Sequence, residues 1–161
     1  MRVAIIDLGT NTFHLLISEV ENNQFDILYK TNVPVKLGEG SINDNLITPE
    51  AFERGINTLR AFNETIKHYQ VTEISATATS AIRSAKNGDD FVTAAKNEAQ
   101  IPINTITGDE EAHLIYNGVK LSGAITGKSL IMDIGGGSVE FILCDEENIF
   151  WKKSYNIGAA R

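Results

Sequence analysis

The stretch VAIIDLGTNTFHLLI, Val3 to Ile17, recurs as SLIMDIGGGSVEFIL, Ser129 to Leu143. In each copy an apolar run reaches Asp, an apolar residue and Gly. A small polar or glycine stretch follows, ending at Thr12 or Ser138, and a second apolar run begins. Asp7 aligns with Asp133. The pattern predicts strand, tight turn, strand, and two such hairpins describe a duplicated domain whose loops face one ligand across a cleft. A phosphate chain is the natural ligand. Gly9, Gly135, Gly136 and Gly137 permit positive φ and close approach of backbone N–H groups to an anion, and Thr10, Thr12 and Ser138 add hydroxyl donors. Three successive glycines also leave a strand end poorly specified unless something binds there. Asp7 and Asp133 cannot hold phosphate directly; they need a metal or a water between.

The first hairpin opens the chain and the second begins close to its C-terminus, so 161 residues are expected to hold one domain and the start of another. Residues 1–122 form the first and residues 123–161 open the second. NIGAAR, the last six residues, carries no helix stop, charged tail or turn cluster, and reads as an arbitrary boundary. The net charge of −7 argues against a protein that holds nucleic acid by counterion release. It does not argue against a polyanionic substrate met by a few local cations, backbone donors and a divalent metal. Cys144 is the sole cysteine, which removes internal disulfides and cysteine metal clusters and points to a reducing compartment. With no signal-peptide pattern at the N-terminus, the expected location is the cytoplasm.

Val3 to Ile6 and Phe13 to Val20 read as hairpin arms. Phe25 to Lys30 and Val33 to Lys36 read as further strands, broken by ENNQ before them and by Pro34. Thr48-Pro49-Glu50 gives an N-cap, a proline at the first helical position and an acid in the first turn, and apolar residues from Phe52 to Tyr69 fall at helical spacing. A helix is expected from Pro49 to about His68. Glu73 to Ala78 is a short strand, TSAIRSA a turn opening a short helix, and Asp89 the cap of a helix through Ala99. Ile101 to Ile106 is a strand, and Asp109 caps the helix that carries Glu110 and Glu111. The order βββαβαβα is that of an α/β unit with a mixed sheet.

DLGTNTFHLLI, LGEG, TATSAIRSA, ITGDEEAHLIYNGV and DIGGGSVEFIL occur in the order and spacing seen in the exopolyphosphatase and guanosine pentaphosphate phosphohydrolase family. The chain resembles that family over essentially its whole length, within the superfamily of sugar kinases, heat-shock chaperone ATPases and actin. The resemblance implies a ribonuclease H-like (actin-like ATPase) fold with a mixed five-stranded sheet and flanking helices. It implies a Mg²⁺-dependent hydrolase that removes the terminal phosphate of inorganic polyphosphate or the 5′ γ-phosphate of guanosine pentaphosphate. On matching positions Gly9, Thr10 and Asn11 hold phosphate from one side and Gly135, Gly136, Gly137 and Ser138 from the other. Arg83 matches a phosphate-binding arginine. Glu111 matches the glutamate that positions and deprotonates water. Asp133 and Glu140 match acids that hold the metal, with Asp7 a further candidate. The family commonly has Arg two residues after the catalytic Glu, where this chain has His113, a poorer partner for phosphate at neutral pH.

Residue type alone would read several of these groups more plainly. Glu111 serves a helix macrodipole no differently from Glu110, Arg83 alone is a surface charge, and Asp7 alone accepts backbone N–H groups in its turn. Glu140 shares a strand face with Ser138 by alternation, which fits either a metal role or an outward-facing residue. His14 reads as a hydrogen-bonded structural histidine, Cys144 as a buried strand residue, and Phe150 and Trp151 as residues that pack on further chain or on a second copy in a homodimer. Two rival functions stay open: a small-molecule kinase of the same superfamily, and a non-catalytic sensor of guanosine polyphosphates. Residues 1–161 alone are expected to turn over little, because the cleft has one complete wall.

Overall fold

The structure, a computed structural model, describes residues 1–22 and 24–161; Asn23, within the expected ENNQ break, lies outside the described residues. Strands β1 (Arg2–Leu8), β2 (Thr12–Glu21) and β3 (Gln24–Pro34) form an antiparallel meander. The two strands expected between Phe25 and Lys36 are one, because Thr31 and Asn32 stay paired with Leu15 and His14; a bulge between Ile17 and Ser18 of the partner strand interrupts the register without ending the ladder. Pro34 closes β3, an edge strand, where its missing N–H breaks no ladder.

Helix α1 (Pro49–His68) starts as the sequence predicts: the Thr48 side chain accepts from the Ala51 amide. Strand β4 (Glu73–Ala78) pairs parallel to β1, and β5 (Ile103–Thr105) parallel to β4. The mixed sheet therefore runs β3-β2-β1-β4-β5. Between β4 and β5 lie α2 (Ser80–Ser84) and α3 (Gly88–Ala99). Asp89 is not the cap of α3; Asn87 holds that position. Asn87 spends its side chain on both backbone groups of Ile47, and Gly88 starts the helix against the Ile82 carbonyl, which a Cβ would meet at 2.1 Å.

Alternation along β1 decides the core. Ala4, Ile6 and Leu8 face inward with Phe13, Leu15 and Ile17 of β2, and α1 and α3 cover them through Ile56, Leu59, Phe62, Ile66, Phe91 and Ala95. Phe91 packs edge-on against Phe52 and Phe13, with ring centroids 5.0 and 6.4 Å apart. Val3, Ile5 and Asp7 take the opposite face, where Ile5 and Asp7 are exposed.

Helix α4 (Gly108–Leu121) is capped by Thr107 and not by Asp109. Thr107 accepts from the Glu110 amide, and Glu110 reaches back to the Thr107 amide in a capping box. The helix lies on a second, antiparallel sheet of β6 (Ser129–Ile134), β7 (Val139–Cys144) and β8 (Ile149–Tyr155). Ala112 and Tyr116 pack there with Ile125, Ile142 and Cys144 in a separate small core. Cys144 is buried there, as the sequence predicts. Among the described residues, no helix is long and apolar enough to cross a membrane.

Candidate active site between the two loops

The duplication holds at the level of single bonds. Each hairpin closes through a four-residue loop: Leu8 pairs with Phe13 across Gly9–Thr12, and Ile134 with Val139 across Gly135–Ser138. In each the first amide donates to the last carbonyl, Gly9 to Thr12 at 3.1 Å and Gly135 to Ser138 at 3.0 Å. None of the four loop glycines uses the positive φ that glycine permits; the positive-φ glycines among the described residues are Gly40, Gly123 and Gly127. What these loops need is space. A Cβ on Gly136 would lie 2.8 Å from Asn11 Nδ2, and one on Gly137 would lie 2.6 Å from Ser80 Oγ and 2.7 Å from Thr10 Oγ1. The two loops thus touch each other directly. Thr10 and Ser138 are buried, while Asn11 stays exposed.

Asp7 ends the exposed face of β1, opposite His14 and beside Thr77 of β4. The His14 side chain is exposed and makes no hydrogen bond among the described residues, so it is not the bonded structural histidine its apolar strand implied; its alternation side is the open one. Asp133 holds the equivalent place on β6, and Glu140 faces it across the ladder. Glu140 is 1% exposed and accepts a 2.6 Å hydrogen bond from Ser154 Oγ. Ser154 was not singled out by sequence; it sits in an ordinary alternating strand and carries no signal of its own.

Glu111 lies in the first turn of α4, and its carboxylate accepts a 2.8 Å hydrogen bond from Arg83 Nη1 of α2. The same Nη1 donates to the Ile106 carbonyl at 3.0 Å, while Nε and Nη2 make no hydrogen bond among the described residues. Both side chains are largely buried. The arginine and glutamate picked out separately by sequence therefore form one unit, with half of the guanidinium fork to spare. Glu111 lines a cavity of about 310 Å³ with Asp7, Asp133, Thr77 and Thr79. A second opening of about 420 Å³ is lined by Arg83, Thr107, Gly108, Asp109 and Ser154.

Burial pushes the Glu111 carboxyl above the usual range; Arg83 opposes this, and Glu140 and Asp7 add to it. Asp7 is raised as well. Although its residue surface is exposed, the protein packed around the carboxyl is the main cause, partly offset by His14 and reinforced by Asp133. Charge from Glu140 and Asp7 thus reaches Glu111, and charge from Asp133 reaches Asp7. Among the described residues, no three such side chains stand at metal-ligand spacing. Mg²⁺ is commonly held by one or two carboxylates, waters and substrate phosphates and not by a protein cage; the residues that would hold it are Asp133, Glu140 and Asp7, of which Asp7 and Asp133 share the cavity while Glu140 is buried against Ser154. His113 is exposed on α4, beside the Tyr116 ring.

The Ppx/GppA phosphatase family model matches residues 16–161. The chain belongs to the Ppx/GppA phosphatase family. It is 42% identical to an exopolyphosphatase of known structure from Cytophaga hutchinsonii, covering 98% of this chain and 51% of that one, with a TM-score of 0.95. A Haemophilus influenzae protein provisionally named an exopolyphosphatase is 35% identical over 97% of this chain and 48% of its own length. A Ppx/GppA member from Aquifex aeolicus superposes with a TM-score of 0.82 at 28% identity, over 98% of this chain and 52% of that one. The chain spans about half the length of these relatives. The fold is the actin-like ATPase fold, shared with the MreB5 protein of Spiroplasma citri at 13% identity and a TM-score of 0.52.

Proposed function

We propose that the full-length protein is a phosphoanhydride hydrolase that releases the terminal phosphate of inorganic polyphosphate or the 5′ γ-phosphate of guanosine pentaphosphate. The observation that carries this reading is Glu111, a carboxylate of raised pKa aimed by Arg83 at the cavity that Asp7 and Asp133 share. A raised pKa makes the carboxylate a stronger base at neutral pH. Family membership supports the reaction class.

Phosphoryl transfer asks the protein mainly to align a nucleophile and neutralise charge. In the proposed reaction Glu111 takes a proton from a water that attacks the terminal phosphorus, and the shortened chain leaves on its bridging oxygen. Arg83 holds the carboxylate through Nη1 and offers Nε and Nη2 to the transferring phosphoryl oxygens. Gly9, Thr10 and Asn11 hold the substrate from one side and Gly135, Gly136, Gly137 and Ser138 from the other. When bound by Asp133 and Glu140, with Asp7 opposite, Mg²⁺ supplies the positive charge that the phosphate oxygens require.

The test is phosphate release by full-length protein with Mg²⁺ from polyphosphate, guanosine pentaphosphate and ATP in parallel, beside Glu111→Gln. The expected outcome is release from one of the first two, with kcat reduced in the variant by about 10²–10⁴, the usual worth of a general base. Binding of guanosine polyphosphate by both proteins with release by neither would make the protein a sensor.

A further inference from the structure

The second loop is held from behind by a segment the hydrolase reading does not use. Residues 157–161 follow β8 and turn back onto the glycines. The Gly158 amide donates to the Gly137 carbonyl at 3.3 Å, Ala159 to Gly135 at 2.9 Å and Ala160 to Gly136 at 2.8 Å. Arg161 Nε adds a second bond to the Gly137 carbonyl at 2.8 Å, and its Nη1 reaches the Ile42 carbonyl of the first half at 3.4 Å. Gly158 is buried flat on the loop, and a Cβ there would meet the Gly136 carbonyl oxygen at 2.4 Å.

In a planar trans peptide the C=O of one residue and the N–H of the next point in opposite directions. Fixing the carbonyls of Gly135, Gly136 and Gly137 on one side therefore aims the amides of Gly136, Gly137 and Ser138 to the other. Those three amides donate to nothing among the described residues. Three adjacent unpaired donors are a cradle for an anion, and glycine chains turn freely unless something holds them. The first half repeats the device: the Lys36 amide donates to the Asn11 carbonyl at 2.8 Å and the Gly38 amide to Thr10 at 3.3 Å. In both halves an apolar-Gly pair just after the third strand, Leu37-Gly38 or Ile157-Gly158, lies against the loop.

We propose that Gly158 and Arg161 are positioning residues: they brace the Gly135–Ser138 loop so that its three free amides meet the substrate phosphate, and Arg161 ties that loop to the first half through Ile42. The inference rests on the phosphate-loop reading above. The experiment measures tripolyphosphate binding by calorimetry in full-length protein carrying Glu111→Gln, with Arg161→Leu, Arg161→Gln, Arg161→Lys or Gly158→Ala added. The same four substitutions in the active protein give kcat and KM, and melting temperatures report folding.

Arg161→Leu and Gly158→Ala are expected to weaken binding at least tenfold and to raise KM more than they lower kcat, since Glu111 and Arg83 are untouched. Arg161→Gln keeps a neutral donor and is expected to retain much of the binding, which keeps the test informative if Gly158→Ala does not fold. Unchanged binding in Arg161→Leu would overturn the brace. Rescue by Lys but not by Gln would also overturn it, because the charge would then act on phosphate directly. Binding without phosphate release in the active protein would sink the hydrolase reading and leave the brace judged by affinity. Failure of the parent protein to bind tripolyphosphate would sink both.

Discussion

Glu111 and Asp7, which line one cavity, are pushed upward mainly by burial; the charges of Glu140 and Asp7 add to the rise at Glu111, and that of Asp133 to the rise at Asp7. For an acid whose folded pKa is raised, the protonated form favours folding: that stability is present below the unfolded pKa and is lost as pH rises through the folded value. Catalysis needs the opposite state, so the acid limb of kcat/KM is expected at a higher pH than an ordinary glutamate would give, without acid unfolding caused by this group. Asp7→Asn removes a charge that raises Glu111 and should move the limb to lower pH. Arg83→Gln removes the influences that lower it and should move the limb higher. A pH-rate profile of each variant checks the pair; shifts in the same direction would mean that the limb belongs to another group. Gly137→Ala tests the loops themselves. Its Cβ would press on Ser80 Oγ and Thr10 Oγ1, both of buried residues, so phosphate affinity should fall in calorimetry, and the melting temperature should fall with it as overpacking costs about 1–3 kcal/mol.

Helix α4 connects residue chemistry to fold, because its first turn carries Glu111 while its buried face belongs to the second sheet. Thr107→Ala deletes the capping box and should cost about 1 kcal/mol, the usual worth of a hydroxyl N-cap; urea denaturation measures it, and no change would mean that the first turn is held by Arg83 alone. Gly55 on α1 leaves room for Phe91, whose ring a Cβ would meet at 2.7 Å. Phe13 and Phe52 hold that ring, so Gly55→Ala should destabilise by roughly 1–3 kcal/mol as overpacking does. The elements were legible where local chemistry names them: Thr48-Pro49 fixed the start of α1, and the repeated Asp-apolar-Gly fixed both hairpins. Asp89 and Asp109 misled because cap propensity cannot see that Asn87 is engaged with Ile47, or that Thr107 and Glu110 satisfy each other. Arg83 with Glu111, and Glu140 with Ser154, were out of reach as pairs, since their contacts span 28 and 14 residues. The brace of Gly158 and Arg161 left a signal, Leu37-Gly38 against Ile157-Gly158, visible only once the third strand of each half is known.

At the scale of the molecule the two halves are unequally covered. The first sheet has α1 and α3 on one face. The second has α4 on the face of Ile131 and Ile142, while Leu130, Met132, Ile134, Leu143, Trp151 and Tyr155 are exposed. Cross-strand register puts Leu130 opposite Leu143 and Leu143 opposite Trp151, so these side chains form one continuous apolar surface and not scattered exceptions. Contiguous apolar area of that kind drives association when nothing folds over it. Residues 1–161 produced alone should therefore self-associate, and sedimentation at rising concentration should show the mass increase. We propose that the same piece releases little phosphate, because it spans about half the length of the relatives it matches and a cleft that lacks part of its walls neither excludes water nor closes on its substrate. Leu130→Lys with Trp151→Lys separates the two effects: the double variant should return the piece to a monomer without restoring turnover. A monomeric piece with the turnover of the full-length protein would show that Glu111, Arg83 and the two loops suffice, and would sink the proposal that catalysis needs the remaining chain.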